Sequence, residues 1–143
     1  MGRQLYFEDV EVGADLPPLE KKPTTQTLVK WAGASGDYYQ IHYDDAFARG
    51  NGLPGVIVHG ALRSAWLGQF VNDWSGEGGE LRKLSCSHRG MDVPGDTITC
   101  KGKVTNKYVK EGEHYVECEV WTENTKGERT SPGSVVVVLP TRG

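Results

Sequence analysis

Ile57-Val58-His59-Gly60-Ala61-Leu62-Arg63-Ser64-Ala65-Trp66-Leu67-Gly68-Gln69-Phe70-Val71 is the stretch that decides the fold. Read as a helix, it places Ile57, Val58, Ala61, Leu62, Ala65, Trp66, Leu67 and Phe70 around nearly its whole circumference. Beyond the opening His59-Gly60, only Arg63, Ser64 and Gln69 break the apolar surface. A helix apolar almost all round belongs inside a protein, and this one is too short to span a bilayer. Something else in the chain must therefore wrap it.

The wrapping material follows. Trp74 to Glu80, with three glycines, reads as an exposed loop, and from Leu81 the apolar period changes to two. Ile98, Cys100 and Val104 alternate with Thr97, Thr99, Lys101 and Lys103; Val116, Cys118 and Val120 alternate with Tyr115, Glu117, Glu119 and Trp121. Such strands have one buried and one wet face. Val135 to Leu139 is continuously apolar and is expected near the middle of the sheet. Pro94-Gly95-Asp96, Glu111-Gly112, Asn124 and Gly127 mark turns. One buried helix followed by about four long antiparallel strands predicts an α+β fold, a curved antiparallel sheet wrapped around a central helix. Its open edges need covering, which predicts a dimer.

Upstream, residues 1–23 read as an extended lead-in. Thr24 or Thr25 caps a short helix over Gln26 to Ala34 that stops near Gly36, and Asp44 or Asp45 caps a single turn through Ala46, Phe47 and Ala48. Arg49 to Gly55 is a loop by its Gly, Asn and Pro content. At 143 residues one domain over 1–143 is expected. Such a length buries roughly 68–70% of the unfolded chain's surface, enough for a core without staples.

Net charge is −3 and no basic run occurs, which argues against nucleic acid as a partner. The N-terminal Met1-Gly2-Arg3-Gln4-Leu5-Tyr6-Phe7-Glu8 lacks the apolar core of a signal peptide, and no apolar run reaches the length of a membrane span. Three cysteines, Cys86, Cys100 and Cys118, with no C-x-x-C, point to reduced thiols and a cytoplasmic location. Cys100 and Cys118 fall on the apolar phase and read as small packing residues. The four histidines, His42, His59, His88 and His114, show no metal-ligand spacing, so no metal and no cofactor is expected.

Chemistry enters just before the buried helix. Ser35-Gly36-Asp37-Tyr38-Tyr39-Gln40-Ile41-His42-Tyr43-Asp44 sets a carboxylate and an imidazole five residues apart. The segment Val56-Ile57-Val58-His59-Gly60-Ala61 then opens the helix with a glycine near its first turn, where backbone N–H groups are free and the dipole is positive. Acid–base groups beside such donors suggest proton transfer next to an oxyanion site. Taken singly, each has a bland reading: Gly36-Asp37 is an ordinary turn pair, and His42 could serve only to bond backbone.

The run Gly36-Asp37-x-x-x-x-His42, preceded by an apolar stretch and followed by Ile57-Val58-His59-Gly60, resembles the MaoC-like (R)-specific enoyl-CoA hydratase and dehydratase family. The resemblance extends over nearly the whole chain, from Tyr6 to Pro140, in element order: short helix, catalytic loop, central helix, strands. It implies a hotdog fold, a homodimer or heteromer, and reversible hydration of trans-2-enoyl thioesters of coenzyme A or acyl carrier protein to (R)-3-hydroxyacyl thioesters. Carried over by position, Asp37 and His42 become the catalytic pair and the Gly60 N–H the oxyanion donor. Where the family often has Asn-Pro, this chain has Tyr39-Gln40, which would reshape the acyl pocket.

In such a hydration a neutral His42 takes the proton of a water near pH 7 while an ionised Asp37 holds the same water. Tyr39, Gln40, His59 and Arg63 are the candidate substrate-binding residues. His59, at the helix mouth, would orient the loop or cap the helix. Arg63 cannot sit unpaired in a buried helix without cost, so it is expected to pair first with a carboxylate, otherwise at a subunit interface or on a ligand phosphate. Lys83, Arg89 and Lys101 read as strand-surface cations. Two further functions fit the fold: hydrolysis of acyl-CoA thioesters, and a non-catalytic subunit that shapes a partner's acyl tunnel. The joint presence of Asp37 and His42 speaks against the latter, and the product, retained thioester or free thiol, separates hydration from hydrolysis.

Overall fold

A computed structural model describes residues 4–143. Five antiparallel strands form one curled sheet: β1 (Leu19–Lys21), β2 (Glu80–Cys86), β3 (Ile98–Lys110), β4 (Glu113–Glu123) and β5 (Arg129–Val138). Their spatial order is β1-β3-β4-β5-β2, so β1 and β2 are the two edges. Three helices precede or interrupt them: α1 (Thr25–Ser35), α2 (Asp45–Gly50) and α3 (Gly60–Ser75). The fold is the expected wrapped helix, with one short strand, β1, in place of part of the extended lead-in. Met1 to Arg3 of that lead-in lie outside the described residues.

Local chemistry sets the helix ends. Thr24 caps α1, its hydroxyl accepting from the Thr27 N–H, and Gly36 ends it at φ 79°, a left-handed conformation suited to glycine. Asp44 caps α2 by accepting from the Phe47 N–H. Helix α3 runs from Gly60 to Ser75, three residues later at its start and four later at its end than the apolar pattern suggests. Its start is displaced because Val56 to His59 run extended and give their backbone to other partners, described below. Its end lies at Ser75 because Trp74 and the buried Ser75 still face the protein.

Leu62, Trp66, Leu67, Phe70 and Val71 of α3 pack into the concave face of the sheet against Val104, Val116, Val120, Val135 and Val137. Cys100 and Cys118 point into the same core, and burial pushes both thiols up to about 12. Helix and sheet approach closely at Gly102, where a Cβ would sit 3.2 Å from the Phe70 ring and 3.1 Å from the Glu119 carbonyl oxygen. The wrapping is not complete. Ala61, Ala65, Gln69 and Asn72 form an exposed ridge along α3, so the helix is enclosed on most of its circumference rather than all of it. Val135 to Leu139 alternates between buried and half-buried, and β5 lies one strand from the β2 edge, with β4 nearer the middle. Among the described residues no helix is long and apolar enough to cross a membrane.

Phe70 therefore carries the helix–sheet contact. Phe70→Ala is expected to destabilise the fold by about 3–5 kcal/mol, read as a lowered urea midpoint with an unchanged denaturant slope.

Candidate active site

The mouth of α3 is where the expected residues meet. Val56 to His59 enter the helix as a buried, extended segment with no strand beside it, so its backbone polar groups need other partners. They find them in the site. The Ile57 N–H donates to the Ile41 carbonyl at 3.0 Å, and the Val58 N–H donates to the Asp92 carbonyl at 2.8 Å. The Ile57 carbonyl receives His42 Nδ1 at 2.7 Å. A carbonyl only accepts, so His42 carries its proton on Nδ1 and, when neutral, keeps a lone pair on Nε2. Nε2 lies 3.9 Å from Asp37 Oδ2. That is too long for a direct hydrogen bond and short enough for one water to touch both. His42 is buried, whereas the Asp37 side chain is 46% exposed.

His59 is fully buried and makes no side-chain cap to α3, contrary to one of the two roles expected of it. It performs the other. Its ring stacks on His42 with centroids 3.8 Å apart and planes 20° from parallel, and its Nε2 donates to the Asp37 carbonyl at 3.2 Å. His59 thus holds both members of the pair from behind. Burial, then the neighbouring His42, moves its pKa below the ordinary histidine value. Its Nδ1 is buried without a partner.

Asp37, His42 and His59 bring three ligand-type atoms within 4.8 Å, a grouping that the sequence spacing did not show. A metal ion lies in the plane of each imidazole that binds it, and rings stacked face to face do not share such a point. One nitrogen of each ring is also committed to a carbonyl. The arrangement suits proton transfer better than joint coordination.

Arg63 finds the expected carboxylate. It is buried, with Nη1 2.7 Å from the Gly90 carbonyl and 3.3 Å from Asp92 Oδ2. The Thr130 hydroxyl donates to the same Asp92 oxygen at 2.7 Å, and Thr122 meets Thr130. Burial pushes the Asp92 carboxyl up and the Arg63 guanidinium down, each opposed by the other's charge. Arg63 thus binds the loop after β2 to the first turn of α3. Tyr39 and Gln40 are exposed beside Asp37, with the Tyr39 ring edge-on to His42 and Phe47. Gly60 is the first residue of α3, and its N–H has no partner within the helix. Asp92, Thr130 and Ser131 escaped the sequence reading. A buried arginine on α3 did demand an acid, but several carboxylates could have met it.

Arg89 and Met91 of the loop after β2, Asp96, and Lys126, Glu128 and Arg129 at the turn into β5 line a cleft of about 500 Å³. Arg129 is engaged by Glu119 and by the Trp121 ring.

Residues 10–125 match the MaoC like domain family, and the chain belongs to it. The beta subunit of the 3-oxo-4,17-pregnadiene-20-carboxyl-CoA hydratase of Mycobacterium tuberculosis is 27% identical over 123 residues, 84% of this chain and 90% of that one. A stretch of 74 residues, 50% of this chain, is 39% identical to fatty acid synthase subunit beta of Aspergillus oryzae, and it covers only 4% of that much longer protein. Among solved structures, the (R)-hydratase from A. caviae involved in PHA biosynthesis superposes with a TM-score of 0.84 at 25% identity, over 93% of this chain and 99% of that one. The curled sheet around α3 is thus the hotdog fold of MaoC-like proteins.

The buried histidine sets a pH dependence. A histidine held below its ordinary pKa binds fewer protons folded than unfolded, so stability is lost as pH falls through the ordinary value of about 6.5. His59 has this sign, and so does His88. Asp92, whose carboxyl is raised, acts oppositely at lower pH. Urea midpoints should fall between pH 7.5 and about 5.5, and His59→Phe should make that fall shallower.

Proposed function

We propose that this protein is a hydro-lyase that reversibly adds water to a trans-2-enoyl thioester, giving the (R)-3-hydroxyacyl thioester. The observation that carries the reading is the Asp37–His42 pair, 3.9 Å apart, with His42 Nε2 left as the free acceptor by the bond from Nδ1 to Ile57. A water held by Asp37 gives a proton to Nε2 as its oxygen bonds to C3. The electron pair of the C2–C3 double bond moves toward the thioester oxygen, where the Gly60 N–H and the α3 dipole stabilise the charge. The pair then returns a proton to C2, so the protein ends as it began. The hydratase names among the relatives support this chemistry. In the cleft after β2, Arg89 and Lys126 would meet the phosphates of a coenzyme A carrier, against the opposing charge of Asp96 and Glu128.

The purified protein should consume the conjugated-thioester absorbance of enoyl-CoA substrates without releasing free thiol. Asp37→Asn and His42→Ala are each expected to lower kcat by about 10²–10⁴-fold with the fold retained by circular dichroism. Wild-type turnover in either folded variant removes the pair from the mechanism. Release of thiol at the rate of absorbance loss would make the protein a thioesterase instead.

The same reading extends to assembly. Tyr38, Tyr39 and Tyr43 are 60%, 56% and 45% exposed around Asp37, and the α3 ridge is bare. A second MaoC-like chain, identical or related, would cover these surfaces. Relatives that carry alpha- and beta-subunit names, and a solved ChsH1–ChsH2 complex, support such pairing. Light scattering on active protein should give at least a dimer mass; a fully active monomer would contradict this.

A further inference from the structure

His88, just beyond the end of β2, sits against Gly60. A Cβ built on Gly60 would fall 2.7 Å from His88 Cδ2 and 3.0 Å from Nε2. The Cα–Cβ direction in a helix leans toward the helix N-terminus. The His88 ring therefore lies at the mouth of α3, beside the N–H of its first residue. It is also exposed, and so open to a ligand arriving there.

The hydrogen bonds around the ring define what it offers. Ser64 Oγ donates to the Gly60 carbonyl at 3.4 Å, which leaves the hydroxyl oxygen to accept from the Cys86 thiol at 3.1 Å and from His88 Nε2 at 3.4 Å. At the other side of the ring, Nδ1 meets the buried Ser131 hydroxyl at 2.8 Å. Ser131 as donor to Nδ1 and Ser64 as acceptor from Nε2–H form one consistent set. The ring is then neutral with its N–H turned to the helix mouth. Desolvation, and then the charge of Arg63, favour the neutral form by lowering its pKa. The bond to Ser64 is long and replaceable. A thioester oxygen at Gly60 could take the Nε2–H in its place.

We infer that His88 is a catalytic residue of this site, its Nε2–H serving with the Gly60 N–H as the second donor to the thioester oxygen. The inference rests on the enoyl-thioester hydration proposed above. Two donors aimed at one developing charge stabilise the transition state more than the ground state, so the loss should appear in kcat. Ser131 is a positioning residue that fixes which nitrogen carries the proton.

Three proteins compared on one enoyl-CoA test this. His88→Phe keeps a ring over Gly60 and removes both nitrogens; kcat should fall by about 10²-fold with KM little changed. His88→Gln restores an N–H donor and should keep more activity than His88→Phe. If the ring only packs, the order reverses, with Phe near wild type, and the assignment is overturned. A spectroscopic arm covers variants of reduced stability. In Asp37→Asn protein, where the enoyl thioester stays largely unreacted, carbonyl polarisation should red-shift its bound absorbance, and adding His88→Phe should diminish that shift. An undiminished shift with substrate bound overturns the assignment. Failure of wild-type protein to hydrate any enoyl-CoA overturns the hydratase reading and this inference with it. Hydration by wild type with full kcat in His88→Phe removes only the role of His88.

Discussion

The extended, buried run from Val56 to His59 is the constraint on which the site depends. A buried backbone with no neighbouring strand must satisfy its N–H and C=O groups elsewhere. Here Ile41, His42 and Asp92 supply the partners to Ile57 and Val58, while the His59 ring reaches the Asp37 carbonyl. The same bonds that make burial tolerable also fix the tautomer of His42 and the path of the Asp37 loop. Stability and catalytic geometry are thus one network, and a change that loosens the entry to α3 disturbs both.

The Arg63–Asp92 pair extends that network to the sheet. Asp92 uses its carbonyl for Val58 and its carboxylate for Arg63 and Thr130, so one residue joins the helix entry, the first turn of α3 and β5. A buried ion pair is weak evidence of net stability, since its desolvation offsets much of the attraction. Removing one partner is another matter, because the remaining charge is left buried alone at a cost of about 3–5 kcal/mol. One atom of each, Arg63 Nε and Asp92 Oδ1, has no partner, which marks the pair as a positional device more than a fully satisfied core contact.

Much of this was legible in sequence because it is local. The apolar circumference of α3, the period-two strands and the Thr24 and Asp44 caps all rest on spacings of a few residues. What was not legible depends on contacts across the chain. The helix starts at Gly60 instead of Ile57 because Ile41 and Asp92, distant in sequence, claim the preceding backbone. β1 hides in a proline-bearing lead-in and is defined only by pairing with Ile98 to Cys100. The partner of Arg63 could be expected as an acid but not as Asp92. His88 drew notice in the sequence only for its lack of metal-ligand spacing, yet β2 stops at Cys86 and its ring lies against Gly60.

The contact between Gly60 and His88 also has an evolutionary consequence. Two positions that share one small space cannot drift independently. A lineage that acquires any side chain at position 60 must first shrink or redirect the residue at 88, because the Cβ and the ring would overlap at 2.7 Å. With glycine kept at 60, the helix places no such steric limit on residue 88, so what would hold histidine there is the donor it offers and not its fit. The glycine is therefore the sterically permissive partner of the two, and it is the residue that leaves room for a ring at the helix mouth.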